Sequence, residues 1–281
     1  MLGLKTLFCK PLSSTNTCQN NTYIPKEATQ QEIFLSKYST FDGRDITIAI
    51  IDSGFDVSLE GLQQTSEGRQ KVIDCFDFTG VGNVETCIIR EIDSKNNILV
   101  GLNERKLKIP KNWKNPSGKW HLGLKALFKP TMSKMDSEYS QKLPKLDCIV
   151  WNDGRKWCAC IETYKNNLKM AKVLTNFRDK HEFSFLKMEG LEMAYCITVH
   201  KNGNLLEIFM PYDHHGSVVS QIAAGHFPNN PKKDGLAPGA QLFFMSVIDP
   251  HDGYAINLQA LKKAVSFFVH RITFVEKVIF N

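Results

Sequence analysis

The sequence predicts an α/β fold in which helices flank a parallel sheet, with an α+β module inserted into it. Two continuous apolar runs, residues 46–51 (ITIAII) and 241–248 (QLFFMSVI), are typical of strands buried on both faces. Helical patterns at residues 216–224 and 258–268 alternate with them, and residues 278–280 are predicted to begin a third strand. Strands that alternate with helices in this way form parallel sheets.

Composition and charge narrow the class of protein. The chain has 281 residues, 42% of them hydrophobic and 23% charged, as in ordinary globular proteins large enough for a sizeable core. The 35 basic and 29 acidic residues are interspersed, so the net charge of +6 forms no dense basic run and argues against nucleic acid as a partner. No stretch approaches the roughly 20 apolar residues of a membrane span.

The amino terminus and the cysteines bear on location. Residues 1–22 are predicted to be a disordered extension that resembles neither a secretory signal, because Lys5 interrupts its apolar run, nor an arginine-rich transit peptide. A metal site at Cys148, Cys158 and Cys160 is one alternative, but no paired His or second CxxC completes it. Separate buried thiols in a reducing compartment are favoured, so we expect a cytoplasmic protein without metal or cofactor. The eight cysteines are Cys9, Cys18, Cys75, Cys87, Cys148, Cys158, Cys160 and Cys196.

The first strand ends in a group that could carry chemistry. The apolar run at 46–51 is followed directly by Asp52-Ser53-Gly54. Open α/β sheets place their functional groups just beyond the carboxyl ends of the strands. An Asp in this place is more often a turn or capping residue than a catalytic one, so Asp52 alone decides nothing.

The middle of the chain, residues 55–210, has a different character and is predicted to be the inserted α+β module. Alternating strands at 148–151 and 156–161 flank Asn152-Asp153-Gly154, and strands at 196–200 and 205–209 flank Asn202-Gly203. Asp-Gly and Asn-Gly adopt positive φ angles at little cost, which tight hairpins require. A weak helical pattern lies between the two hairpins, at residues 165–194.

The second candidate group begins the helix at 216–224, which Gly225 is expected to terminate. His215 precedes this helix. A carboxylate that accepts a hydrogen bond from Nδ1–H of a histidine leaves Nε2 free to act as a general base. The helix amino terminus favours the neutral imidazole and a nearby Asp52 would favour the protonated one. A lone histidine is nevertheless more often structural.

Three segments in order change this assessment. Asp-Ser-Gly after an apolar strand, His-Gly before a helix of small residues (HHGSVVSQIAAG, 214–225), and GLAPGAQL (235–242) before the next strand resemble the subtilisin family of serine peptidases. The resemblance implies a subtilisin-like fold, with Asp52 as the triad aspartate and His215 as the triad histidine. His214 lies one position out of register and is not assigned to the triad.

Asp52 and His215 stand 163 positions apart, and the likeness is to a member of the family with a large insertion at this place. That likeness implies release of tripeptides from the amino termini of polypeptide substrates and assembly into homo-oligomers. The catalytic domain is then expected to be divided into residues 23–54 and 211–281.

The chain also departs from the family pattern. The family's His-Gly-Thr-His is His215-Gly216-Ser217-Val218 here, and no segment matches the oxyanion Asn or the Gly-Thr-Ser nucleophile. Ser53, Ser217 and Ser220 lie inside the Asp and His motifs and are not expected to replace the nucleophile. Two hypotheses follow: a serine peptidase of which this chain is a part, or a non-catalytic relative that serves in binding or assembly.

Overall fold

The computed structural model describes residue 24 and residues 26–93, 95–126, 145–188, 191–250 and 255–272. The predicted extension at 1–22 and the predicted strand at 278–280 lie outside these ranges. The described α-helices are α1 (Lys26–Thr29), α2 (Gln31–Lys37), α3 (Phe177–Lys180), α4 (His215–Ala224) and α5 (Leu258–Ile272). The described strands are β1 (Thr47–Asp52), β2 (Val72–Asp77), β3 (Asn83–Glu85), β4 (Ile88–Arg90), β5 (Ile98–Val100), β6 (Lys106–Lys108), β7 (Trp120–Ala126), β8 (Lys145–Asn152), β9 (Trp157–Cys160), β10 (Leu174–Thr175), β11 (Ser184–Met188), β12 (Leu191–His200), β13 (Leu205–Phe209), β14 (Gln241–Ser246), β15 (Ile248–Asp249) and β16 (Ala255–Ile256).

A three-stranded parallel sheet in the order β1–β14–β2 forms the centre of the α/β part. Alternate residues of these strands point to opposite faces, and both faces are covered. Phe244 lies in a core shared with Ala224 at the end of α4, and Met245 lies in a second core with Ala264 of α5. Two covered faces explain why the sequences of β1 and β14 are continuously apolar, and the predicted α/β class is confirmed.

Strand β2 belongs to the parallel sheet, although its residues lie within 55–210, the range predicted to form the inserted module. It pairs in parallel with β14, with Cys75 opposite Phe244, so the sheet includes a strand from within residues 55–210. Its sequence, VIDCFD, contains two aspartates and therefore lacks a continuous apolar run. The buried Asp74 carboxylate is tolerated because Arg178 of the inserted part pairs with it at 3.0 Å.

The inserted part consists mainly of antiparallel sheets, one in the order β10–β9–β8–β7–β4 and one in the order β11–β12–β13–β3. Both predicted hairpins are confirmed: β8 pairs with β9 and β12 pairs with β13. Gly154 has φ +98°, and Asn202 and Gly203 have φ 54° and 88°. These positive angles are the reason for the Gly-centred turns. Among the described residues of 165–194, the helical pattern yields the four residues of α3 and a three-residue 3-10 helix at Leu168–Met170.

Helices α4 and α5 fall where the sequence places them. Helix α4 starts one residue before the predicted range and ends at Ala224, with Gly225 as its C-cap. The Gly225 N–H donates to the Gln221 carbonyl at 2.9 Å. Helix α5 runs to Ile272, four residues beyond the predicted end.

The inserted part and the parallel sheet pack on one another. Phe55, just after β1, lies with its ring centroid 4.5 Å from that of Phe244 in β14. Phe209 in β13 contacts both rings, at 5.8 Å and 5.7 Å. The inserted hairpin β12–β13 therefore rests against the carboxyl half of the sheet, close to the end of β1.

Most of the described cysteines are buried free thiols, as predicted. Cys87 is the exposed exception, and Cys9 and Cys18 lie outside the described residues. Burial raises the pKa of the Cys148 thiol to about 12 and that of Cys158 to about 11. The buried described cysteines are Cys75, Cys148, Cys158, Cys160 and Cys196.

Candidate active site

The Asp52 carboxylate stands at the carboxyl end of β1. The Asp52 carbonyl accepts a hydrogen bond from the N–H of Val247, the residue after β14, at 2.9 Å. Pairing between β1 and β14 therefore continues to the last residue of β1. The Asp52 side chain is buried, and its Oδ1 accepts hydrogen bonds from Ser53 N–H at 2.7 Å and Ser53 Oγ at 3.0 Å. These two donors fix the orientation of the carboxylate.

His215 is the first residue of α4, and its imidazole faces Asp52. Nδ1 lies 2.9 Å from each Asp52 carboxylate oxygen. Because an ionised carboxylate can only accept, the shared proton belongs to Nδ1, and Nε2 of the neutral ring is left with a free lone pair. The His215 side chain is 65% exposed, compared with 10% for Asp52. A buried carboxylate thus holds an accessible base.

Two glycines permit this approach. A Cβ added to Gly216 would lie 2.4 Å from the Gly54 carbonyl oxygen and 2.8 Å from the Phe244 ring. Gly54 has φ +101°, a conformation that L-residues rarely adopt, and an added Cβ there would meet the Met210 carbonyl oxygen at 2.9 Å. The glycines of Asp-Ser-Gly and His-Gly are therefore required for the end of β1 and the start of α4 to meet.

Electrostatics at the site favour the protonated base. The hydrogen bond to Asp52 raises the pKa of His215, the charge of Asp52 adds to this, and the charge of Asp213 adds further. Partial desolvation acts in the opposite direction and does not overcome these effects. His215 is thus a stronger base than a free histidine.

The three motif serines form hydrogen bonds with groups other than the His215 ring. Ser53 donates to Asp52, Ser217 Oγ accepts from the Asp56 N–H at 2.9 Å, and Ser220 Oγ donates to the Gly216 carbonyl at 2.7 Å. All three are buried. Among the described residues, no hydroxyl bonds Nε2 of His215, and none of them form a group of three or more potential metal ligands. The described residues supply a base and the group that orients it.

Asp213 lies next to the candidate pair, and the sequence argument did not single it out. Its Oδ1 accepts hydrogen bonds from the N–H of His214 at 2.5 Å and lies 2.9 Å from His214 Nδ1. The available signal was an acidic residue directly before two adjacent histidines. His214 does not pair with Asp52 in the structure; its Nδ1 lies against Asp213.

The sequence profile of the subtilase family (peptidase S8) matches residues 43–273. This span includes Asp52, His215 and all the inserted sheets. The chain belongs to the subtilase family.

Similar subtilases are tripeptidyl-peptidases 2. That of Caenorhabditis elegans is 33% identical over 85% of this chain and 22% of the relative. That of Oryza sativa subsp. japonica is 29% identical over 82% of this chain and 22% of the relative. That of Drosophila melanogaster is 25% identical over 86% of this chain and 21% of the relative. This subtilase chain therefore spans about a fifth of the length of the curated relatives it matches.

A solved structure shares the fold of this subtilase. The crystal structure of tripeptidyl peptidase 2 (TPP II) superposes with a TM-score of 0.67 at 23% identity, covering 83% of this chain and 23% of that one. The predicted family resemblance and the subtilisin-like fold class are confirmed. No helix within the described ranges combines the length and apolar character needed to cross a bilayer.

Proposed function

We propose that this chain provides the Asp–His part of a serine peptidase active site that releases tripeptides from the amino termini of polypeptides. The observation that carries the proposal is the pair of 2.9 Å contacts between His215 Nδ1 and the Asp52 carboxylate. Membership of the subtilase family supports the serine-type reaction, and the likeness to tripeptidyl-peptidases 2 supports the substrate class.

In the proposed mechanism, His215 Nε2 accepts the proton of a serine hydroxyl as that oxygen attacks the peptide carbonyl. The resulting imidazolium donates from Nδ1 to Asp52, which stays ionised and stabilises the charge. Nε2 then gives the proton to the leaving amine. The Ser53 hydrogen bonds to Asp52 keep the carboxylate turned toward Nδ1 throughout.

We propose that the nucleophilic serine comes from outside these 281 residues. The burial of the three serines in the Asp and His motifs supports this: Ser53 is 2% exposed, Ser217 is 7% exposed and Ser220 is fully buried. Each of their hydroxyls has a hydrogen-bonding partner other than Nε2. A serine must approach Nε2 to within about 3 Å to be activated.

The test uses a fluorophosphonate, which labels activated serines. The 281-residue chain is expected to remain unlabelled and not to hydrolyse tripeptide-amide reporters. A longer polypeptide, in which residues 1–281 are continued by the oxyanion Asn and Gly-Thr-Ser segment of a tripeptidyl-peptidase 2, is expected to be labelled and to hydrolyse the reporters. His215→Ala in the longer polypeptide should abolish both, and an unchanged rate there would contradict the role of His215.

Labelling of the 281-residue chain that disappears in the His215→Ala variant would show that one of its own serines is the nucleophile. That result would contradict the proposed origin of the serine and leave the base assignment intact.

A non-catalytic role in binding or assembly is the second candidate. The observation that favours it is the absence, among the described residues, of any hydroxyl at Nε2 of the exposed His215 ring. The intact mass of the native polypeptide distinguishes the two. A native chain with the Gly-Thr-Ser segment supports the peptidase, and one of 281 residues supports the binding role.

We further propose a cytoplasmic location and assembly into homo-oligomers. Five buried cysteines without disulfides support a reducing compartment. The oligomer rests on the family resemblance, and light scattering of the purified native protein tests it.

A further inference from the structure

Helix α4 carries apolar side chains on its outer face. Its sequence, HGSVVSQIAA, contains no Asp, Glu, Lys or Arg. Val218 and Ile222 are 45% and 40% exposed, whereas the helix faces that pack on a core normally alternate with charged and polar faces toward solvent. A helix without such a polar outer face is typical of one that is covered on both sides. The buried residues on the inner face of α4 are Gly216, Ser217, Ser220 and Ala224.

The proposed base lies on this outer face. Val218 and Ile222 stand three and seven positions after His215, and residues at these spacings line one side of a helix. The His215 side chain is itself 65% exposed. The accessible imidazole and the two apolar side chains therefore share one side of α4.

The apolar surface continues beyond the helix. Leu236 is 36% exposed, and its N–H donates to the Ile222 carbonyl at 2.9 Å. The Leu236 carbonyl accepts from Gln31 Nε2 of α2 at 2.8 Å, and Leu236 lines a groove together with Phe34 of α2, which is 45% exposed. We call the surface formed by Val218, Ile222, Leu236 and Phe34 the α4 stripe. Contiguous exposed apolar surface of this kind marks an interaction site.

We propose that the α4 stripe is the docking surface for the polypeptide segment that carries the nucleophilic serine, in a continuation of this chain. The inference rests on the proposed function, which places that serine outside residues 1–281. A serine that His215 activates must come within about 3 Å of Nε2, so the segment that carries it must pass over the outer face of α4. Because the stripe has no charged group, the docking segment is expected to present apolar side chains to it.

Docking on α4 would give the serine and its base a common support. A catalytic pair must be held within about 0.5 Å of its productive geometry. Helix α4 is fixed against β1, where Gly216 leaves no room for a Cβ beside the Gly54 carbonyl oxygen. A segment seated on the outer face of the same helix is thereby positioned relative to His215.

Thiol accessibility measures whether the stripe is covered. Val218→Cys, Ile222→Cys and Met170→Cys are made in the 281-residue chain and in the longer polypeptide with the Gly-Thr-Ser segment. Met170 lies in the inserted part and is 88% exposed, so it serves as the control. N-ethylmaleimide should modify all three cysteines rapidly in the 281-residue chain. In the longer polypeptide the rates at positions 218 and 222 should fall by about tenfold or more, and the rate at position 170 should not change.

Two results of this experiment would overturn the inference. Equal modification rates of Ile222→Cys in the two polypeptides would show that the added segment does not cover the stripe. Protection that is already present in the 281-residue chain and grows with its concentration would show that a second copy covers the stripe instead.

A charge placed on the stripe tests whether docking is needed for activity. In the longer polypeptide, Ile222→Asp should lower fluorophosphonate labelling and peptide hydrolysis by about tenfold or more, because docking would bury an unpaired carboxylate. Ile222→Val should keep most of the activity, and Met170→Asp should leave it unchanged. Urea denaturation of Ile222→Asp in the 281-residue chain, where the position is exposed, should match that of the unsubstituted chain, which separates lost docking from lost folding. Full activity of Ile222→Asp would contradict the inference.

Failure of the inference is distinguishable from failure of the proposed function. If the longer polypeptide hydrolyses peptides while positions 218 and 222 stay reactive, only the docking surface is wrong. If the longer polypeptide is inactive while both positions become protected, the docking surface stands and the peptidase assignment fails.

Discussion

The Nδ1 atom of His215 lies 2.9 Å from each carboxylate oxygen of Asp52, although 163 positions of the chain separate the two residues. The contact exists because the end of β1 and the start of α4 meet through Gly54 and Gly216. Both residues are anchored in regular elements whose cores are packed, so their relative position is fixed before any substrate arrives.

Replacing Asp52 with Asn should disable the base while leaving the fold in place. The amide has no charge, and its NH₂ group would favour the Nδ1 acceptor tautomer, so Nε2 would carry the proton and could not accept another. In a longer, active polypeptide we expect the hydrolysis rate to fall by roughly 10⁴-fold. Steady-state kinetics measure this, and ¹⁵N signals of the His215 ring report the tautomer.

Ser53→Ala is the graded comparison for Asp52→Asn. It removes one of the two Ser53 donors to Asp52 Oδ1 and keeps the carboxylate. Its rate should lie well above that of Asp52→Asn. Equal losses in the two variants would contradict the role assigned to the Asp52 charge.

Gly216→Ala should separate the two halves of the site. The added methyl group would lie 2.4 Å from the Gly54 carbonyl oxygen and 3.3 Å from Asp52 Cβ, so α4 must shift away from β1. We expect a loss of about 1–3 kcal/mol in the free energy of unfolding, with loss of the Asp52 effect on the His215 pKa. Urea denaturation and an NMR titration of His215 measure these.

Val218→Ala provides the matched control on the same helix. Val218 is 45% exposed, so its truncation should change the free energy of unfolding by no more than about 0.5 kcal/mol. A loss as large as that of Gly216→Ala would point to general fragility of α4.

Lys71 should make stability depend on pH in the alkaline range. Its side chain is fully buried, Nζ donates to the Pro238 and Ala240 carbonyls at 2.6 and 2.9 Å, and burial lowers its pKa to about 8. The unfolded chain keeps this proton up to about pH 10.4. Between these values the unfolded state binds more protons, so the Lys71 contribution to the free energy of unfolding should rise with pH.

Denaturation of the unsubstituted chain and of Lys71→Met from pH 7 to pH 10 measures this contribution as a difference. The difference should change with pH in the stated direction. The exposed Lys111→Met serves as the control and should show a constant difference. A difference that is constant for Lys71→Met too would mean that its pKa is not lowered by the fold.

The thiols should divide into two classes of reactivity. Cys87 is exposed, while burial raises the pKa of Cys148 to about 12 and that of Cys158 to about 11. Since the thiolate is the reactive form, iodoacetamide should modify Cys87 in the native chain, and the buried cysteines only after unfolding. Peptide mass mapping measures both. Protection of Cys148, Cys158 and Cys160 that is lost on adding a chelator would revive the metal alternative.

The sequence by itself determined the features that depend on short stretches of chain. Continuous apolar runs defined β1 and β14 because a strand covered on both faces tolerates little polarity. The turns at Gly154 and Gly203 were predictable because a positive φ is a local property. Asp52 and His215 were predicted to pair from motifs in which each side chain stands next to the glycine that lets it approach its partner.

The tertiary structure alone decided what depends on partners distant in the chain. Strand β2 was hidden because Asp74 and Asp77 interrupt its apolar pattern, and it becomes a strand only beside β14 and with Arg178 to pair with Asp74. The pairing of Asp213 with His214 depends on the bend that leads into α4. Burial, ion pairing and ring contacts arise from packing between elements, and a pattern of neighbouring residues does not record which elements will meet.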